Sequence, residues 1–219
     1  MKLSPDNFRA HRAALTIVEM LMAMAGFMLL IAAVVSIQLF AVRIFQLAAT
    51  KLTATEDGRK TVNFIREQVR EAKTLDIGTY SGTNTGTGTF TAAVDTNQIG
   101  SALLIFPTTN TTFGTIFYED PVAQNLCSVS ITAASTDTNG NTTGTITNFA
   151  TDALFVTNNL IFQAEDFQGN LLTDNSNNRI IHVTLQFSQL EYPVAGIGGS
   201  NSMYDYYELH TRATRRAID

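Results

Sequence analysis

Two hydrophobic regimes divide the first third of the chain. Between Leu15 and Val42 the sequence LTIVEMLMAMAGFMLLIAAVVSIQLFAV is apolar on every helical face, with Glu19 as its only ionisable residue. A helix needs about 20 such residues to cross the hydrocarbon of a bilayer, so a membrane-spanning helix is predicted over 15–42. Farther along, Val62, Ile65, Val69 and Ala72 recur at spacings of three and four, while Arg59, Lys60, Arg66, Glu67, Arg70, Glu71 and Lys73 take the other faces. That period marks one apolar stripe of an amphipathic helix, assigned to 43–77. No proline falls between Pro5 and Pro107, and Gly26, Gly58 and Gly78 are the glycines before position 80. The two segments therefore read as one continuous helix from residue 15 to about 75, about 90 Å long at a rise of 1.5 Å per residue.

The pattern then shortens. Residues 79–100, TYSGTNTGTGTFTAAVDTNQIG, show no core periodicity and read as a flexible loop. Short β-like runs follow at Ser101–Phe106, Phe113–Glu119, Cys127–Ala133, Thr143–Phe149, Ala153–Thr157, Leu160–Glu165, Ile180–Phe187 and Tyr204–Arg215. Alternation is clearest where Ile181, Val183, Leu185 and Phe187 oppose His182, Thr184 and Gln186, and where Tyr207, Leu209, Thr211 and Ala213 oppose Glu208, His210 and Arg212. Asn139-Gly140 signals a hairpin with positive φ at both central residues, and residues 191–203, EYPVAGIGGSNSM, read as a loop between the last two strands. The expected fold is α+β: a long N-terminal helix packed against an antiparallel β-sheet in an extracytoplasmic, β-rich domain over 78–219.

Residues 1–14, MKLSPDNFRAHRAA, set Lys2, Arg9 and Arg12 against Asp6 and form a basic leader. The charge of Glu19 is then the anomaly of the apolar run. An acidic side chain at the centre of a spanning helix costs about 2.5–3.5 kcal/mol on insertion scales, so it needs a partner or a place at the membrane rim. Positive residues follow the segment at Arg43, Lys51, Arg59 and Lys60, so charge counting does not fix the orientation. An ordinary secretory signal, cut around Ala33–Ser36, is the competing reading, opposed by the helical pattern that continues past that point.

Ala14, Leu15, Thr16, Ile17, Val18 and Glu19 resemble the processing signal of type IV pilins and type II secretion pseudopilins: a small residue, a cut, four apolar or small residues, then glutamate. The resemblance implies a pilin-like fold and cleavage between Ala14 and Leu15 by a prepilin peptidase that also methylates the new amine. It also implies assembly through Glu19, which a neighbouring subunit's amine would neutralise in the helix bundle. The implied partners are the peptidase/methyltransferase, other pilins or pseudopilins, membrane lipid and an inner-membrane assembly platform. The implied location is a single pass through a bacterial inner membrane, leader inside, and afterwards the pilus or pseudopilus. Ala14 stands where glycine is commoner, Leu15 where phenylalanine is, and Ser36 where many major pilins have a kinking proline, which favours a minor member. The stretches TEDGRKTVNFIREQVREA and YDYYELHTRATRR resemble minor pseudopilin J and minor pilin W.

Composition changes this picture little. Charged residues make up 15% of the chain, against about 25% in ordinary soluble domains, leaving Thr, Asn, Ser and Gly to form the polar surface. A formal charge of −5 gives no general basic field, and nucleic acid is not an expected partner. Cys127 is the sole cysteine, which excludes an intramolecular disulfide and a CxxC motif; its place in the alternation Cys127, Val129, Ile131, Ala133 reads as a buried hydrophobe. Met20, Met22, Met24 and Met28 read as packing groups.

His182 and His210 fall on polar strand faces, and the runs from Asp137 and Asp174 read as turns, lacking the spacing of a calcium loop. Arg212, Arg215 and Arg216 read as an exposed strand edge or tail. No catalytic, cofactor or metal-binding residue is assigned, and no cofactor is expected. A structural subunit of a secretion pseudopilus is the leading expectation. A minor type IV pilus subunit in adhesion, motility or DNA uptake comes next, and a membrane-anchored enzyme last.

Overall fold

A computed structural model of the chain describes residues 16–82, 86–153, 155–190 and 204–216. One helix, α1 (Ile17–Glu71), is followed by ten strands. They are β1 (Thr74–Ser81), β2 (Thr87–Ala92), β3 (Ile99–Gly100), β4 (Ala102–Phe106), β5 (Phe113–Asp120), β6 (Asn125–Thr136), β7 (Asn141–Ala153), β8 (Phe162–Glu165), β9 (Ile180–Leu190) and β10 (Tyr204–Thr214). The chain divides into two units, 1–48 and 49–219, with the boundary inside α1.

In the first unit, every described side chain of residues 16–46 is exposed. The most apolar 18-residue stretch of α1 has a mean hydropathy of 2.5, long and apolar enough to cross a membrane. The helix runs without interruption through Ser36, whose hydroxyl donates to the Ala32 carbonyl at 2.8 Å. That bond satisfies the hydroxyl within the helix's own backbone, as an apolar surrounding demands.

In the second unit the amphipathic stripe is buried as its spacing predicts: Val62, Ile65, Val69 and Ala72 enter one core. There they meet Leu75 and Ile77 of β1, Leu103 and Ile105 of β4, Phe117 of β5, and Ile181, Val183, Leu185 and Phe187 of β9. The helix ends at Glu71, short of 77, because Leu75 and Ile77 bury alternate positions of β1, a strand period. Lys73 N–H donates to the Phe106 carbonyl at 2.8 Å and starts the change from helix to sheet.

The expected single sheet is two. Strands β1-β2-β7-β6-β5-β4 close into an antiparallel barrel, and β10-β9-β8-β3 form a separate four-stranded sheet. β4 explains the division, since all five of its residues are buried. Leu103 and Ile105 point to the helix core, whereas Ala102, Leu104 and Phe106 fill the barrel with Ile116, Cys127 and Val129. A strand enclosed on both faces reads as a continuous apolar run, which gives no sign of two separate cores. The chain passes from sheet to barrel at Ser101, where a Cβ on Gly100 would lie 2.2 Å from the Gly78 carbonyl oxygen. Only glycine permits that approach.

Three further departures have local causes. Residues 79–100, read as a loop, contain β2 and β3: Phe90 is fully buried, and Tyr80 reaches over Gly88 to meet Tyr118, with ring centroids 4.4 Å apart and planes tilted by 43°. Thr-rich strands with glycine on the inward face show little apolar alternation. In β6 a bulge shifts the register between Thr132 and Ser135, so Ala133, at φ 51°, is exposed and Ala134 is buried instead. In the β6–β7 hairpin only Gly140 has positive φ, 81°; the turn is an Asp137–Gly140 reverse turn with a glycine bulge, not a two-residue loop. The predicted loop 191–203 lies outside the described residues.

Candidate functional site

The α1 entrance is built from four residues. Thr16 precedes the first helical residue, and its backbone N–H donates to Glu19 Oε2 at 2.9 Å. The Thr16 hydroxyl donates to the same oxygen at 3.2 Å, and Glu19 N–H donates to Thr16 Oγ1 at 3.3 Å. This is a reciprocal capping box, in which residues three apart satisfy two of the four N–H groups that a helix start leaves without partners. The signal was present in the sequence as Thr-x-x-Glu immediately before an apolar run. Glu19 Oε2 thus takes two donors from its own chain, while among the described residues Oε1 has no donor and the negative charge has no cation beside it. Ala14 and Leu15, the expected cleavage pair, lie outside the described residues.

A second constellation occupies the outer face of the four-stranded sheet. His182 Nδ1 lies 2.8 Å from Glu165 Oε1, and Arg212 Nε lies 2.8 Å from Glu165 Oε2. Glu165 is buried, and the chain folds back over it through a turn that brings Leu171 into pairing with it. The His182 and His210 rings are 5.6 Å apart; His210 is held by Thr184 at 3.2 Å and by Glu208 at 3.3 Å. The expectation of polar strand faces for both histidines holds. Pairing with Glu165 was not legible, because the run Leu160–Glu165 offers no signal that its last residue is covered by the next turn.

The chain matches no protein-family model, no curated protein and no solved structure. Its chemistry must be read from its own residues.

Among the described residues, no group of three or more His, Cys, Asp and Glu side chains is placed to hold a metal ion. The two oxygen-rich runs form turns. Asp137 Oδ1 accepts from Asn139 and Asn141 N–H at 2.8 Å, and its Oδ2 accepts from Asn141 Nδ2 at 2.9 Å. These bonds, the Asn141 side chain first, hold the Asp137 carboxyl below the ordinary carboxylate range. Asp166 in D-F-Q-G-N repeats the arrangement of D-T-N-G-N bond for bond, with Gly169 at φ 90°. Asp174 accepts from Ser176 N–H at 2.9 Å and from its hydroxyl. Cys127 is buried in the barrel, and burial pushes its thiol up to about 11, which suppresses the reactive thiolate.

Proposed function

We propose that this chain is a minor, non-catalytic structural subunit of a type IV pilin-type assembly, cut between Ala14 and Leu15 and held in the membrane by α1. The observation that carries the reading is α1 itself. One uninterrupted helix begins at a capping glutamate, stays exposed and apolar through its first half, and docks its second half on a β-rich unit. An apolar surface of that extent needs lipid or like helices around it. A carboxylate in its first turn supplies a charge that a neighbouring subunit's amine can neutralise. Because cleavage after Ala14 would create such an amine on Leu15, four residues before Glu19, processing and assembly become linked chemically.

Ser36 in place of proline, with α1 unbroken there, favours a subunit that initiates or caps a type II secretion pseudopilus. In this reading the leader is cytoplasmic and the β-rich unit lies outside the inner membrane. Partners are the prepilin peptidase, the assembly platform and other pilin-like helices; the alternative assembly is a type IV pilus. Mass spectrometry of the mature protein tests the proposal: an N-methylated Leu15 is expected. An intact Met1 terminus, or a cut beyond residue 30, overturns it.

A further inference from the structure

Five arginines line one cavity of the β-rich unit. Arg66 and Arg70, one turn apart near the end of α1, meet Arg212, Arg215 and Arg216 at and beyond the end of β10 around a volume of about 440 Å³. The arrangement is fixed by backbone contacts. Arg216 N–H donates to the Arg70 carbonyl at 3.2 Å, Arg215 N–H donates to the Arg179 carbonyl at 2.8 Å, and the Arg215 side chain donates to the Lys73 carbonyl.

Counter-charge is short. Arg70 lies 3.5 Å from Glu67, and Arg212 lies 2.8 Å from Glu165. Among the described residues no carboxylate pairs with Arg66, Arg215 or Arg216. In addition, Arg66 Nε is closed off from solvent and donates to nothing. Like charges gathered around one cavity repel one another, and an anion among them relieves that repulsion.

We infer that this cavity binds one phosphate-class dianion, either inorganic phosphate or the terminal phosphate of a monoester. Guanidinium presents paired N–H donors in a planar fork that matches the oxygens of phosphate and carboxylate alike. Charge and geometry separate the two. A carboxylate brings one charge and two oxygens, whereas a phosphate monoester brings nearly two charges at pH 7 and three acceptor oxygens, suited to several forks at once. Each guanidinium carries five N–H donors, so Arg212 beside Glu165 and Arg215 on the Lys73 carbonyl keep others, and Arg66 from α1 and Arg216 from beyond β10 add theirs.

The test is calorimetric titration of the full chain in neutral detergent micelles, with inorganic phosphate and glycerol phosphate in separate arms at fixed ionic strength set by chloride. Saturable, single-site binding of either is expected, and the arm that binds identifies the source as free ion or ester. Arg66→Gln/Arg216→Gln should weaken binding about tenfold or more, as expected for lost charge-assisted hydrogen bonds. Arg216→Gln alone, at an exposed position outside the strand, should weaken it several-fold and decides the matter where the double variant fails to fold. Absence of saturable binding in both arms overturns the inference. So does affinity unchanged in a folded variant.

Discussion

Gly58 sits where α1 meets β9 and β10, and replacing it sets two opposing effects against each other. A Cβ at this position would lie 2.9 Å from Cε1 and Cζ of Phe187 and 3.0 Å from Cδ1 of Leu209. Carbon atoms pack best at about 3.5–4.0 Å, so three contacts would have to open by roughly 0.5–1 Å. Phe187 is 5% exposed and stacked on Tyr207, with centroids 5.4 Å apart and planes 20° apart, so moving into the cavity of about 560 Å³ that borders both Gly58 and Phe187 would break the stack. On helix propensity alone Gly58→Ala would stabilise by about 1 kcal/mol. Overpacking against the ring pair costs about 1–3 kcal/mol, and so it wins. The net expectation is destabilisation of about 1 kcal/mol, a fall in Tm of about 2–4 °C for a unit of this size. The chain has six tyrosines and no tryptophan, so near-ultraviolet circular dichroism of the full chain in micelles follows the unfolding. Phe187→Leu removes the ring carbons that obstruct the new methyl, and in that background Gly58→Ala should become stabilising. A coupling of about 1 kcal/mol or more between the two sites is within the range for touching residues. If Gly58→Ala alone raises stability by the full propensity gain, the helix does not approach β9 this closely and the docking geometry is wrong.

Two other perturbations follow from local chemistry. Burial alone raises the Asp76 carboxyl above its ordinary value, so the folded state binds the proton more tightly than the unfolded one, and stability falls as pH rises through that window. Asp76→Asn should therefore raise the Tm at pH 7 and have little effect near pH 3, where the carboxyl is protonated in both states; a lower Tm at pH 7 would mean that the carboxylate has a stabilising partner. At the helix start, Glu19→Ala removes both cap and charge, whereas Glu19→Gln keeps a capping side chain and removes only the charge. If neutralisation by a neighbour's amine drives assembly, both variants are processed and both fail to incorporate. Normal assembly of Glu19→Gln would assign the residue to capping alone, where loss of the box costs about 1 kcal/mol.

The stripe Val62, Ile65, Val69 and Ala72 was legible because a period near 3.6 in an otherwise charged segment has one structural meaning. Ile181, Val183, Leu185 and Phe187 were legible through a period of two. The barrel was not. Its closure depends on β2, whose inward residues Gly88 and Phe90 share a core with a tyrosine from β1, and on β4, whose two faces serve different cores. Neither condition leaves a polar–apolar alternation to read. The two D-x-x-G-N turns carry the opposite lesson. Asp137 and Asp166 make the same bonds to Asn141 and Asn170, so the shared spacing specified the geometry without tertiary help. In D-F-Q-G-N the turn is masked by Phe167, whereas D-T-N-G-N is polar throughout.

The turn at Thr16–Glu19 shows how structure can narrow a functional argument drawn from sequence. A carboxylate in an apolar helix makes two separate demands: acceptor oxygens want donors, and a negative charge wants a positive one. Sequence composition merges them, because Glu19 is the lone ionisable residue from 15 to 42. The capping box answers part of the first demand, since Thr16 N–H and its hydroxyl both donate to Oε2 within one chain. Among the described residues Oε1 and the charge are without a partner, and under the proposed assembly a second subunit's amine meets both without dismantling the cap. A residue that stabilises its own helix start and whose charge has no partner among the described residues fits the proposed joining of helices in lipid, in which association removes the charge penalty and leaves the fold of each helix unchanged.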